Sequence, residues 1–372
     1  MIYFLIAIGY IIITYMVSFL ERLKKLPIPF LTTFKIYFDL GTSMTRIAIK
    51  EKGVVLKEPT FLAYNTQSRE YIFFGTEAKN IMGKTPEFLK IIRPIVGGIV
   101  SDFDAEVVLT RTFIDKSVSP YISQFALFKP PLEALAVFPV VATEIEQKAV
   151  EEVVLKAQCS AVTLIKKPLA VGAGCGFNIF SHKPHLILDM GGGLIEISIV
   201  SGGGIVTNKT LKNAGEHMDK LIANYVYLKH GVILGEATCE KLKIECFHFG
   251  KEEKIALVRG KSLENGLPKS VKIKTSDIRE ALYNNFVQVV DAIKELIEVS
   301  PPEVVDEIFE SGIFLTGNLA AVEGIEQFFS EEIKIEVFKP THFQDAAIYG
   351  LTILDKDKDA LYRVASYSKS YA

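Results

Sequence analysis

The strongest constraint on the fold is a pattern that the chain carries twice. In Ile36-Tyr37-Phe38-Asp39-Leu40-Gly41-Thr42-Ser43-Met44-Thr45-Arg46-Ile47-Ala48-Ile49 an apolar run ends in Asp, small residues follow, and a second apolar run leaves. The same grammar returns in His185-Leu186-Ile187-Leu188-Asp189-Met190-Gly191-Gly192-Gly193-Leu194-Ile195-Glu196-Ile197-Ser198-Ile199-Val200. Each stretch reads as strand, tight turn, strand. Two such hairpins about 150 residues apart suggest two similar half-domains facing one ligand.

Glycine lacks a Cβ, so such a turn can take φ > 0 and bring backbone N–H groups close to phosphate oxygens. An Asp at the end of each strand then suits a hard cation, and Asp39 and Asp189 are the expected Mg²⁺ carboxylates. A hairpin of this kind with no phosphate role is the plain alternative for either copy taken alone.

Three further stretches lie between and after the hairpins. They are Leu164-Ile165-Lys166-Lys167-Pro168-Leu169-Ala170, Asn213-Ala214-Gly215-Glu216-His217-Met218-Asp219 and Gly312-Ile313-Phe314-Leu315-Thr316-Gly317-Asn318. In this order the five pieces resemble the phosphate, connecting and adenosine motifs of the actin-like ATPases. Within that superfamily the chain is most similar to the MreB-type bacterial actins, from about Lys35 to Leu351. Val54-Val55-Leu56-Lys57-Glu58-Pro59, Gly75-Thr76-Glu77-Ala78-Lys79 and Thr143-Glu144-Ile145-Glu146-Gln147-Lys148 carry the likeness further.

The resemblance implies an α/β, actin-like two-lobed fold with a ribonuclease H-like duplicated core. Lobe I would span residues 35–181 with a small inserted subdomain at about 64–99. Lobe II would span 182–345 with an insertion at about 217–280, and residues 346–372 would form a C-terminal helix and tail. ATP with Mg²⁺ is the implied cofactor, held by Asp39, Gly41, Thr42, Ser43, Lys167, Asp189, Gly191, Gly192, Gly193, Gly215, Gly317 and Asn318. Glu240, in Cys239-Glu240-Lys241-Leu242-Lys243, falls where the family contacts ribose, although a solvated helix face explains it equally well.

Two positions depart from an active ATPase. In the resembled family a Glu before the proline polarises the attacking water and a Thr in the second hairpin assists it; here Lys167 and Leu194 stand there. A charged lysine cannot accept a proton, and leucine neither donates nor accepts. Met44 replaces an Asn that contacts phosphate, and Asn318 and Leu319 add bulk where glycines usually run. Three outcomes fit: Lys166 or Lys167 holds ATP uncleaved, the site is empty, or Glu196 or Glu144 takes over catalysis.

Composition bounds the remaining questions. The 372 residues are 49% hydrophobic with a net charge of −2, enough chain for two α/β cores and no basic block to favour nucleic acid. The four cysteines form no Cys-x-x-Cys pair and read as reduced, mostly buried thiols of a cytosolic body. The six histidines show no metal-ligand spacing.

Residues 1–20 carry no charged side chain, and Glu21-Arg22-Leu23-Lys24-Lys25 follows. About twenty apolar residues cross the ~30 Å hydrocarbon core, and the positive-inside rule keeps the basic flank in the cytoplasm. Residues 1–25 are therefore expected to be a membrane-spanning anchor, with an in-plane helix or a cleaved signal as the alternatives. Residues 26–34, with Pro27 and Pro29, form a linker. The connector around Leu127-Phe128-Lys129 is apolar where the resembled family carries a membrane-inserting loop; core capping is the competing reading.

A helix from about Ala105 to Lys116 should bury Val107, Val108, Phe113 and Ile114, and Ser300 should cap the helix that Pro301-Pro302 opens. The reading as a whole is a cell-shape protein on the cytoplasmic face of the cytoplasmic membrane. It would form filaments with itself, work with wall-synthesis proteins, and bind ATP with impaired hydrolysis. The alternative is a non-polymerising adaptor on the same fold that recruits a division, pilus or wall-synthesis partner.

Overall fold

The computed structural model describes residues 33–121 and 130–369. The expected anchor at 1–25, most of the linker, and the loop with Leu127 and Phe128 lie outside those residues. Among the described residues no helix is long and apolar enough to cross a membrane.

Two five-stranded sheets share one topology. In the first, Phe34–Leu40 is central; it pairs antiparallel with Met44–Ile49, which pairs with Gly53–Pro59. On its other side it pairs parallel with Leu132–Phe138, and Ala161–Lys166 closes that edge. In the second, His185–Met190 holds the central place, with Ile195–Ser201 and Gly204–Leu211 antiparallel on one side. Ile313–Thr316 and Val337–Phe338 lie parallel on the other. Both central strands are covered on both faces, so they read as unbroken apolar runs rather than alternating ones: Ile36, Tyr37, Phe38, Leu186, Ile187 and Leu188 are all buried.

Each sheet has its own outer core. Helices Phe103–Val118 and Glu144–Lys156 cover the first, placing Leu109, Phe113, Val153 and Val154 against Ile36, Phe38 and Ile47. Helices Gly215–His230, Thr275–Glu298 and Ile325–Ile333 cover the second through Met218, Ile222, Phe286 and Phe329. Two small three-stranded sheets stand above the main ones. One is built from Leu62–Asn65, Glu70–Phe74 and Leu89–Ile92, the other from Val232–Ile233, Ile255–Ser262 and Pro268–Lys274.

A third core joins the lobes. Helices Lys167–Gly174 and Ala346–Leu354 lie between the sheets, touching Tyr37 and Leu135 of the first and Ile187 and Val200 of the second. They cross with almost no separation. A Cβ on Gly174 would stand 2.0 Å from the Ala346 carbonyl oxygen, and one on Gly350 would stand 1.7 Å from that of Ala170. Only glycine lets the two backbones meet this closely.

Local signals explain the helix ends, with two departures from expectation. Thr143 and Glu146 form a reciprocal capping box, the Thr-x-x-Glu signature of a helix start. Ser300 does not cap the helix that follows it; its hydroxyl donates to the Leu296 carbonyl at 2.6 Å and ends the preceding helix instead. In Phe103–Val118 the buried stripe runs through Ala105, Leu109, Phe113 and Ile114, while Val107 and Val108 are only half-buried.

That stripe also buries Glu106, which is 0% exposed. One carboxyl oxygen accepts from the Thr110 hydroxyl at 2.9 Å, and the other has no partner among the described residues. Burial pushes this carboxyl up from 4.5 to about 8, against the lowering effect of Thr110. The folded state therefore holds the proton that the unfolded chain releases near pH 4.5. Stability should fall as pH rises between those two values, by about 1.4 kcal/mol per unit. Urea titrations across pH 5–8 should show this slope in the native protein and a flatter one in Glu106→Gln. For the crossing helices, Gly350→Ala should cost about 2–3 kcal/mol in the same assay, because a backbone carbonyl cannot yield as a side chain would.

Candidate nucleotide cleft

The two hairpins close on the same hydrogen bond. Gly41 N–H donates to the Met44 carbonyl at 3.2 Å, and Gly191 N–H to that of Leu194 at 2.9 Å. The glycines of these turns do not serve by left-handed backbone, since Gly41, Gly191, Gly192 and Gly193 all lie outside the positive-φ set. Close approach is their role. A Cβ on Gly192 would stand 1.9 Å from Ser43 Oγ, and one on Gly193 would stand 2.1 Å from Thr42 Oγ1, so each turn seats the other.

The backbone N–H groups of Thr42, Ser43, Gly192 and Gly193 have no protein acceptor among the described residues. Four unsatisfied donors on two facing turns suit phosphate oxygens. Gly215 also braces the second turn. Its N–H donates to the Gly191 carbonyl at 3.2 Å, and the Glu216 N–H donates to that of Gly192 at 2.9 Å. The start of helix Gly215–His230 is thus spent on fixing the second turn.

Asp39, Gly41, Thr42, Ser43, Lys167, Asp189, Gly191, Gly192, Gly193, Leu194, Gly317 and Asn318 line one pocket of about 720 Å³, open solvent included. Gly215 and Glu240 line the adjoining part of the cleft, about 1310 Å³ by the same measure, which shares Ser43, Gly191, Gly192 and Asn318 with it. Gly317 alone of these glycines needs a positive φ, +88°, and a Cβ there would meet the Met190 carbonyl oxygen at 2.3 Å.

The floor of the pocket is a cluster of opposite charges. Lys167, at the start of a connecting helix, places Nζ 2.8 Å from Asp189 Oδ2. Asp189 also accepts from the Thr316 hydroxyl at 3.1 Å. Burial would lower the Lys167 pKa, but Asp189, Asp39 and Glu196 outweigh it and hold the ammonium charged. Glu196 is pushed up to about 7 by burial, with Lys167 pulling the other way, and its Oε1 accepts from the Val140 N–H at 3.0 Å.

Arg46 completes the floor. It lies directly across the hairpin from Asp39, and its guanidinium reaches Asp39 at 3.3 Å, Asp345 at 3.1 Å and Asn318 Oδ1 at 2.7 Å. Sequence reasoning passed over Arg46, although its cross-strand position opposite Asp39 was the available signal. Asp39 and Asp189 therefore meet in one pocket, but neither is a free metal ligand: each already faces a fixed cation. The donor set does not fit Mg²⁺ as the sequence led us to expect. The backbone donors do fit phosphate.

Ion pairs also span the mouth of the cleft. Lys79 reaches Glu240 at 2.8 Å, and Arg93 reaches Glu216 at 3.7 Å and pairs with Glu236. The Arg93 guanidinium stacks 4.9 Å from the Phe61 ring centre. Glu240, expected at the ribose, is thus engaged by the opposite lobe, and Glu144 lies on a helix outside the cleft. Leu194 packs against the backbone at Gly98, where an added Cβ would come within 2.6 Å of its Cδ1.

Comparison with known proteins agrees with this architecture. The profile of the MreB/Mbl protein family matches residues 33–363. The cell shape-determining protein Mbl of Bacillus subtilis is 32% identical over 326 residues, which is 87% of this chain and 96% of Mbl. The cell shape-determining protein MreB of Escherichia coli is 31% identical over 305 residues, 80% of this chain and 86% of that protein. The crystal structure of MreB5 of Spiroplasma citri bound to ADP superposes with a TM-score of 0.81 at 28% identity, over 87% of this chain and 97% of MreB5. The same protein has been solved with AMPPNP. The duplicated sheets, the paired turns and these matches together place the chain in the MreB/Mbl family of actin-like cell shape-determining proteins.

Proposed function

We propose that the chain is a filament-forming cell-shape protein that holds ATP between its lobes and hydrolyses it slowly or not at all. The observation that carries this reading is the floor of the cleft. Lys167 and Leu194 stand at the positions where the family resemblance places the water-polarising Glu and its assisting Thr. Glu196, a further carboxylate of the pocket, already accepts from Val140 and shares the Lys167 charge. Neither Lys167 nor Leu194 can take a proton from water, while the backbone donors of both turns remain available for phosphate. The nucleotides seen in MreB5 support the same occupant here.

Attachment to the cytoplasmic face of the membrane is part of the proposal and rests on sequence alone. Residues 1–25 and the pair Leu127 and Phe128 supply the apolar contact, and the ATP-site lobes stay in the cytoplasm. Self-association follows from the family, with wall-synthesis proteins as the partners that a shape-determining filament would guide.

A second reading is favoured by one specific feature. Both expected metal carboxylates are neutralised from within the chain, which also suits a nucleotide-free cleft and a non-polymerising membrane adaptor. Binding titration and phosphate release on the full chain separate the two. ATP binding with negligible release is the expected result, and sedimentation with ATP should pellet the protein above a critical concentration. Lys167→Glu combined with Leu194→Thr should raise phosphate release about 10-fold or more. Absence of nucleotide binding would leave the adaptor; brisk release by the native chain would refute the assignment of Lys167 and Leu194.

A further inference from the structure

Lys167 does more than remove a catalytic carboxylate. Its ammonium sits against Asp189, with Asp39 and Glu196 adding to the field that holds it. A divalent ion bridging Asp39, Asp189 and a bound phosphate would need this same place, since Mg²⁺ binds through one or two carboxylates together with substrate phosphates. Resting on the nucleotide-binding reading above, we propose that the Lys167 ammonium replaces the divalent cation, so that this cleft takes a nucleoside triphosphate as the metal-free polyanion.

Three features support the substitution. Lys167 is the first residue of a helix whose residues Pro168 to Gly174 are all buried in the pivot between the lobes. Its backbone is therefore fixed, and its amine emerges at the floor of the cleft. Arg46 is likewise fixed on Asp39 by its additional bonds to Asp345 and Asn318. The two carboxylates are thus each matched to a side-chain cation before any ligand arrives.

The cost of admitting a metal follows. To reach Asp189, Mg²⁺ would have to displace the ammonium and then sit beside it in a partly desolvated pocket, where like charges repel more strongly than in water. The amine itself is a compact point charge with three donors, well suited to a terminal phosphate. The Lys167 side chain is only 22% exposed, and the free backbone donors of Thr42, Ser43, Gly192 and Gly193 complete a cradle that requires no ion. Magnesium in solution becomes a competitor, because it binds the same phosphate oxygens from the other side.

The test compares ATP affinity of the full chain in EDTA and in excess Mg²⁺, by fluorescence titration with a labelled ATP. The expected result is equal or tighter binding in EDTA, with Lys167→Ala reversing the order and binding at least ~10-fold more weakly without Mg²⁺. A 10-fold or greater loss of native affinity in EDTA would overturn this proposal and leave the nucleotide-binding reading intact. Failure to bind in either condition would overturn both. If Lys167→Ala bound as tightly as the native chain in EDTA, the assignment to Lys167 would be wrong. A readout that needs no variant is Mn²⁺ electron paramagnetic resonance: the native chain with saturating ATP should show no protein-bound Mn²⁺, and a bound signal would refute the substitution.

Discussion

Three carboxylates, Asp39, Asp189 and Glu196, converge at the floor of one cleft, and a protein that gathers such groups must supply positive charge or protonate one of them. Here the charge comes from the chain. Lys167 reaches Asp189 from a connecting helix, and Arg46 reaches Asp39 from the neighbouring strand. Since Asp189 lies near the end of the central strand of one sheet and Lys167 directly follows the edge strand of the other, their ion pair ties the lobes together. The shape of the cleft depends on it. Arg46 adds a second tie, because Asn318 belongs to the second lobe and Asp345 begins the returning helix.

The same charges give the cleft its asymmetry. At the floor Asp39, Arg46 and Asp189 are nearly buried, whereas at the mouth Lys79 and Arg93 meet Glu240, Glu216 and Glu236 at partly exposed positions. Screened pairs of that kind contribute little each, and the pair of Asp39 with Arg46 at the floor is more buried than any of them. Between them lie the two turns, in contact through Ser43 and Gly192 and through Thr42 and Gly193.

How much of this was legible in the sequence depended on distance along the chain. The two hairpins were readable because an Asp, a tight turn and flanking apolar strands are neighbours in the chain. The family resemblance extended that reading to the whole fold. What escaped were contacts between remote positions. Asn318 was read as bulk near a purine, but its amide oxygen is held by Arg46 from the other lobe. The glycines of the turns were credited with unusual backbone angles, when what they provide is room for the opposite hairpin. Ser300 looked forward to its proline-opened helix and instead bonds backward. Nothing in the sequence marks Glu106 as buried, and only packing shows that it is sealed inside.

The crossing of helices Lys167–Gly174 and Ala346–Leu354 gives the molecule a fulcrum. Gly174 and Gly350 bring the rods into backbone contact, so there is no layer of side chains to shear and little freedom to slide. A contact this close favours rotation of the lobes about that point over sliding. Lys167 stands close to the pivot, on a short arm, while Lys79 and Arg93 stand at the far end of a long one. Any rotation about that contact would therefore move the residues at the mouth further than Lys167 at the floor, as a turn at the hinge moves the edge of a door most.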